Sequence, residues 1–100
     1  MFVRTIRNSF AGGNNDAAVK LFNERVKPMW SGQRGFHSIQ RFKVVDGPHK
    51  DQEMVVLRFN SHDDFRKAMD AVANKREALL KDIQVAGVKQ EETMMLEEIT

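Results

Sequence analysis

The chain of 100 residues has no cysteine and no tyrosine, only two prolines and a single tryptophan. The missing cysteines exclude disulfides, thiol nucleophiles and zinc–thiolate sites together. The missing tyrosines exclude any chemistry that depends on a phenolic hydroxyl of the protein. No apolar run approaches the roughly 20 residues that a helix needs to cross a bilayer. Like charges never form the run of about five or six that marks an interaction tail. Sixteen Lys and Arg stand against fourteen Asp and Glu, a net charge of +2, and the basic residues are scattered. No electrostatic footprint for nucleic acid is visible in that pattern.

What remains is a globular composition, 41% hydrophobic and 30% charged, outside the disordered range. A chain of this size makes one small domain and buries only about 60–65% of its unfolded surface. A single domain over residues 1–100 is therefore expected. The opening "MFVRTIRN" alternates and does not supply the roughly 7–15 apolar residues of a signal-peptide core. The expectation is a soluble cytoplasmic protein with no membrane partner.

Phe2, Ile6 and Phe10 alternate with Val3, Thr5 and Ser9, which predicts a first strand. "AGGNND" breaks it with residues that tolerate positive φ, and Asn15 or Asp16 can cap a helix. From Ala17, the residues Ala18, Leu21, Phe22, Val26 and Met29 fall at helical spacing. Pro28 should stop or kink that helix around Val26 to Trp30. Phe36 to Asp46 alternates again as a second strand, and "GPHKD" is turn chemistry. "QEMVVLRF" is apolar on both parities and reads as a central strand. A long helix is expected from His62 to about Ile83, ended by the glycine of "VAGVKQEE", with "ETMMLEEIT" as the fourth strand.

The order β-α-β-β-α-β is the ferredoxin-like arrangement, an α+β fold with a four-stranded antiparallel sheet and two helices on one face. Its other face should be polar in a monomer, yet strands three and four are apolar on both parities. Something has to cover it, and a second copy of the chain is the common solution. Arg4, Arg7, Arg41, Lys43 and Arg58 are expected to keep parts of that face wet.

The RNA recognition motif shares this order and stacks bases on the bare sheet. Here the two stacking positions of its third-strand octamer would be Met54 and Val56, and the octamer has no glycine. Base stacking on aromatics contributes about 1–3 kcal/mol per base, and this sheet lacks most of it. RNA binding is disfavoured on that ground.

"GFHSIQRFKV", "MVVLRFNSHDDFRKAM" and "KREALLKDIQVAGVKQEETMMLEEI" resemble the second strand, the third strand with its helix, and the closing segment of another group. This is the antibiotic biosynthesis monooxygenase family of the dimeric α+β barrel superfamily, which also holds heme-degrading monooxygenases. The resemblance covers nearly the whole chain. It implies a homodimer with two sheets facing each other and a pocket between sheet and helices. It also implies oxygenation of a small aromatic, polyketide or quinol-type molecule with no metal, flavin or other cofactor. Heme-degrading members use an asparagine on strand one, a tryptophan on helix two and a histidine further along. Asn8 can stand for the first, but the tryptophan position holds Ala68 and the histidine region holds Lys75 to Ala78. Heme degradation is disfavoured without an axial ligand. A non-catalytic binder of a small apolar ligand, or a dimerisation module, is the alternative.

Candidate catalytic residues are Asn8, whose amide could hold oxygen or a substrate hydroxyl, and His37, a candidate general base near a pocket mouth. Phe22, Trp30, Phe65, Ala68, Met69 and Val72 are the candidate pocket lining. Each also has a bland reading as a wet strand residue or as core. The three histidines, His37, His49 and His62, show no ligand spacing, so no metal site is expected. In "SHDDF", Ser61 and Asp64 read as a capping box, with Asp63 and Asp64 at the positive end of a helix.

Overall fold

The computed structural model describes residues 1–11 and 15–100. The elements are β1 (Phe2–Phe10), α1 (residues 16–31), β2 (Phe36–Lys43), β3 (Glu53–Phe59), α2 (His62–Val85) and β4 (Val88–Glu97). All neighbouring strands are antiparallel, in the order β2-β3-β1-β4. This is the expected α+β ferredoxin-like fold. No helix among the described residues is long and apolar enough to cross a membrane.

Alternation decides which face each strand residue takes. Along β3, Glu53, Val55, Leu57 and Phe59 are buried while Met54, Val56 and Arg58 are half-buried. Phe2, Arg4, Ile6 and Asn8 share the covered face through their pairing with β3. The core joins them to the helices: Phe2, Trp30, Val55, Leu57, Phe59, Phe65 and Val72 are buried together. Burying each such large side chain stabilises the fold by about 1.5–3 kcal/mol. Phe65 anchors the cluster, stacked on Phe2 with ring centroids 4.7 Å apart and edge-on to Phe59 at 5.7 Å.

α2 starts as its sequence dictates. The Ser61 hydroxyl accepts the Asp64 N–H at 3.1 Å, and Asp63 pairs with Arg66 and Lys67 one turn on. The helix runs to Val85, two residues past the expected end, and Gly87 turns the chain at φ +85°. Gly35, at φ +83°, leaves room for Asp64: an added Cβ there would stand 2.5 Å from the carboxylate.

Three boundaries differ from expectation. α1 runs to Ser31, one residue past the expected stop-or-kink window of Val26 to Trp30, and residues Phe22–Val26 form a π-helical turn just before the proline. The wider turn shifts the hydrogen-bond register, and Pro28 falls at the start of the last α-helical piece, where a missing N–H costs little. Asn15 occupies the N-cap position without a side-chain cap bond, and the expected "AGGNND" break includes residues 12–14, outside the described residues. β2 ends at Lys43, short of Asp46. β4 begins at Val88, well before "ETMMLEEIT", because the whole length of β1 is available to pair with it, from Phe10 opposite Val88 to Phe2 opposite Glu97.

The second sheet face is partly apolar, as expected. Phe42, Met94 and Leu96 are exposed there, beside Met54 and Val56. Arg7 and Arg58 lie on this face and donate to Gln52 and Gln40, each at 2.6 Å. Arg4 and Arg41 do not: their register with Leu57 and Val55 turns both toward the helices.

Candidate functional site

The inward-facing arginines, with Asn8 and Glu53, make a polar floor beneath α1. Asn8 on β1 is paired with Glu53 on β3, and Arg41 on β2 is paired with Val55. Three neighbouring strands thus bring an amide, a carboxylate and a guanidinium together. Asn8 Nδ2 donates to Glu53 Oε2 at 3.2 Å, and Arg41 Nε donates to Glu53 Oε1. The Arg41 guanidinium also lies over the Phe22 ring, 5.3 Å from its centroid. Glu53 and Asn8 are both buried, and Asn8 Oδ1 has no hydrogen-bond partner among the described residues.

Over this floor lies a cavity of about 80 Å³ whose apolar wall comes from Phe22, Val26 and Trp30 of α1 and from Ile39, Val55 and Leu57 of the sheet. An adjoining void of about 50 Å³ shares Arg4, Ile6, Val26, Trp30, Ile83 and Gln90 with it and reaches Arg76 of α2. Together they approach the roughly 150 Å³ that admits benzene in a protein core. A register shift between Arg7 and Asn8 sets Gln90 opposite Asn8 on β4. Such bulges re-aim side chains and occur often beside active sites.

Arg4 is the most unusual group here. It is 5% exposed and its Nε has no hydrogen-bond partner among the described residues. Its guanidinium sits 5.7 Å from the centroid of Phe65, a contact that offsets part of the cost of burial. Loss of hydration, and then the like charge of Arg76, bring its pKa down from the ordinary guanidinium range to about 10. Trp30, 4% exposed, stacks on Phe65 and meets Phe59 edge-on, both at 6.0 Å. It is both a packing residue and a wall of each void.

Of the residues singled out from sequence, Asn8, Phe22 and Trp30 meet at the cavity. Phe65, Ala68 and Val72 are buried core residues of α2, Met69 packs against that core, and none of the four lines either void. His37 is exposed on β2, its Nδ1 3.2 Å from the Ser38 hydroxyl, and stands away from the cavity lining. His62 stacks on Phe2 with centroids 4.7 Å apart. Among the described residues no three His, Asp or Glu side chains converge as a metal ion would need.

Arg4, Arg41, Glu53 and Gln90 are missed by reading the sequence. A signal did exist for one of them. Arg4 shares its parity with Phe2 and Ile6, the apolar side of β1, and a charge in that row marks a buried polar site.

Chemically, the site joins an apolar-walled void to one carboxylate, an amide oxygen with no hydrogen-bond partner among the described residues and a guanidinium in no salt bridge among them. The chain matches no protein-family model, and no curated protein is detectably similar in sequence. Solved structures with the same fold do exist. SnoaB, a cofactor-independent oxygenase from Streptomyces nogalater, superposes with a TM-score of 0.74 at 15% identity, covering 99% of this chain and 94% of its own. A candidate antibiotic biosynthesis monooxygenase from Deinococcus radiodurans gives 0.70 at 7% identity, covering 100% and 94%. A NIPSNAP family protein of unknown function from Agrobacterium tumefaciens gives 0.69 at 15%, covering 96% and 86%. The chain therefore has the antibiotic biosynthesis monooxygenase-like fold.

Proposed function

We propose that the protein oxygenates a small aromatic substrate of the anthrone or quinol type without a cofactor, in the cavity beneath α1, and works as a homodimer. The observation that carries this reading is Asn8: a buried amide lining the cavity, fixed through Nδ2 on Glu53, with its Oδ1 unpartnered among the described residues. An unsatisfied buried acceptor costs about 1–3 kcal/mol, and a substrate hydroxyl donating to Oδ1 would satisfy it. The likeness in fold to a cofactor-independent oxygenase supports the reaction class.

In this mechanism Glu53, the one carboxylate lining the cavity, takes a proton from the activated ring carbon. The resulting carbanion passes its electrons to O₂. In an anthrone the ring CH₂ becomes C=O, with one oxygen atom entering the product and the other leaving as water with the two hydrogens; a hydroquinone gains one ring oxygen to become a hydroxyquinone, the second oxygen again leaving as water. Phe22, Val26 and Trp30 exclude water, which keeps the carbanion from being reprotonated. The two voids are smaller than a tricyclic anthrone, so binding such a substrate requires α1 to shift outward at its π turn.

Oxygen uptake with a panel of anthrones and hydroquinones tests the proposal. Turnover above the uncatalysed rate is expected, falling by about tenfold or more in Asn8→Ala and in Glu53→Gln. His37→Ala should leave it unchanged, since His37 stands away from the cavity. Uptake that survives both of the first two substitutions would overturn the site assignment, and no uptake with any substrate would overturn the reaction. A non-catalytic binder is the second reading, favoured by the fact that both oxygens of Glu53 already accept hydrogen bonds.

A further inference from the structure

The charged side chains lining the two voids are Arg4, Arg41, Arg76 and Glu53. Glu53 is taken by Arg41. Neither Arg4 nor Arg76 forms a salt bridge among the described residues, although Arg4 is 5% exposed and lines both voids. Arg76 stands close enough to act on Arg4 as a like charge. A buried cation without an anion is among the most expensive arrangements a core can hold, and ordinarily such a group is paired. Arg4 and Arg76 both line the smaller void, which has no acid in its lining among the described residues, and Asn8 and Glu53 line the larger void that adjoins it.

We infer that the void between Arg4 and Arg76 receives the carboxylate of an aromatic carboxylic acid, whose ring lies in the larger void against Trp30 and Phe22. The planar guanidinium fork matches a carboxylate in geometry as well as in charge. At about 50 Å³ the void suits a carboxylate, while apolar walls of Ile6, Val26 and Leu79 favour a ligand with a ring attached over a free inorganic ion. The same orientation puts the reacting ring edge toward Asn8 and Glu53. The inference rests on the cavity being the ligand site and does not depend on the oxygenase chemistry.

Trp30 is the single tryptophan and lines both voids, so its fluorescence reports occupancy directly. Sodium benzoate and the neutral benzamide, of nearly equal shape, are titrated against the intact chain at about pH 8, where benzoate is fully ionised. Benzoate should bind about tenfold or more tightly than benzamide, as charged hydrogen-bond partners do. Arg4→Met should collapse that preference toward unity, Arg76→Met should reduce it, and Arg4→Lys should retain part of it. If Arg4→Met does not fold, Arg4→Lys and Arg76→Met carry the same comparison. Equal affinity for the two probes, or a benzoate preference untouched by the arginine substitutions, would overturn the inference while leaving the cavity a ligand site. No response to either probe would overturn both.

Discussion

Asn8 and Glu53 face each other across β1 and β3 as register partners and are joined by a 3.2 Å hydrogen bond. The sheet itself sets this contact, so the carboxylate is held by backbone geometry and not by a flexible loop. Its environment can therefore be changed one group at a time.

Replacing Asn8 by Leu removes a hydrogen bond to a charged group, but it also removes the orphaned Oδ1. The expected net cost is about 1–2 kcal/mol in urea denaturation. Asn8→Asp should cost more, because it sets a second carboxylate against Glu53.

Arg41 and Glu53 should respond unequally. Arg41→Met leaves Glu53, 8% exposed, with a buried and uncompensated charge, at an expected cost of about 3 kcal/mol. Glu53→Gln leaves Arg41, whose side chain is 25% exposed, free to turn to solvent, and should cost less. Chemical denaturation of the two variants checks the order.

Arg4→Met should stabilise the empty protein, by about 1–4 kcal/mol, since an apolar side chain of similar length replaces an unpaired buried cation. A thermal melt in the absence of ligand measures this. The linkage has a definite sign: the folded pKa of Arg4 lies below its ordinary 12.5, at about 10. Its penalty is full below that value and is relieved as pH rises from about 10 toward 12.5, where the unfolded chain binds the extra proton.

Asp63 has the opposite sense. Hydrogen bonding from Lys67, ahead of the other causes, holds its carboxyl below the ordinary 3.8. Its stabilising contribution is present above that ordinary value and disappears as pH falls through the depressed one. Wild type and Asp63→Asn should therefore differ at neutral pH and converge in strong acid, as followed by circular dichroism.

The homodimer is tested on the open sheet face. Val56→Lys places a charge at the centre of that face, on a strand whose inner residues stay buried. Light scattering should show a dimer for the wild type and a monomer for the variant. A monomeric wild type would end the dimer proposal.

Much of the fold is legible because it is local. The alternation of β1, the apolar run of β3 and the Ser61 cap each place an element from a few adjacent residues. β4 is harder to place, since it lies at an edge where only Val88 is buried, and an edge strand need not alternate. Pro28 marks where α1 becomes irregular and soon ends, but the π turn before it depends on hydrogen bonds one residue out of step, which no residue type announces. The site is least legible of all. Asn8, Phe22 and Trp30 are visible as residue types, but the inward aim of Arg4 and Arg41 follows from strand register, which the sequence states only through parity.

The strand order also limits how copies of this chain can meet. β2 and β4 are the two free margins of the sheet, and β4 carries Glu91, Glu92 and Glu97 with Lys89, all exposed. Charged side chains along such a margin discourage its pairing with another sheet edge. The broad apolar face has no such guard. Stacking through that face would close after two copies, whereas addition at the margins would leave a fresh margin each time.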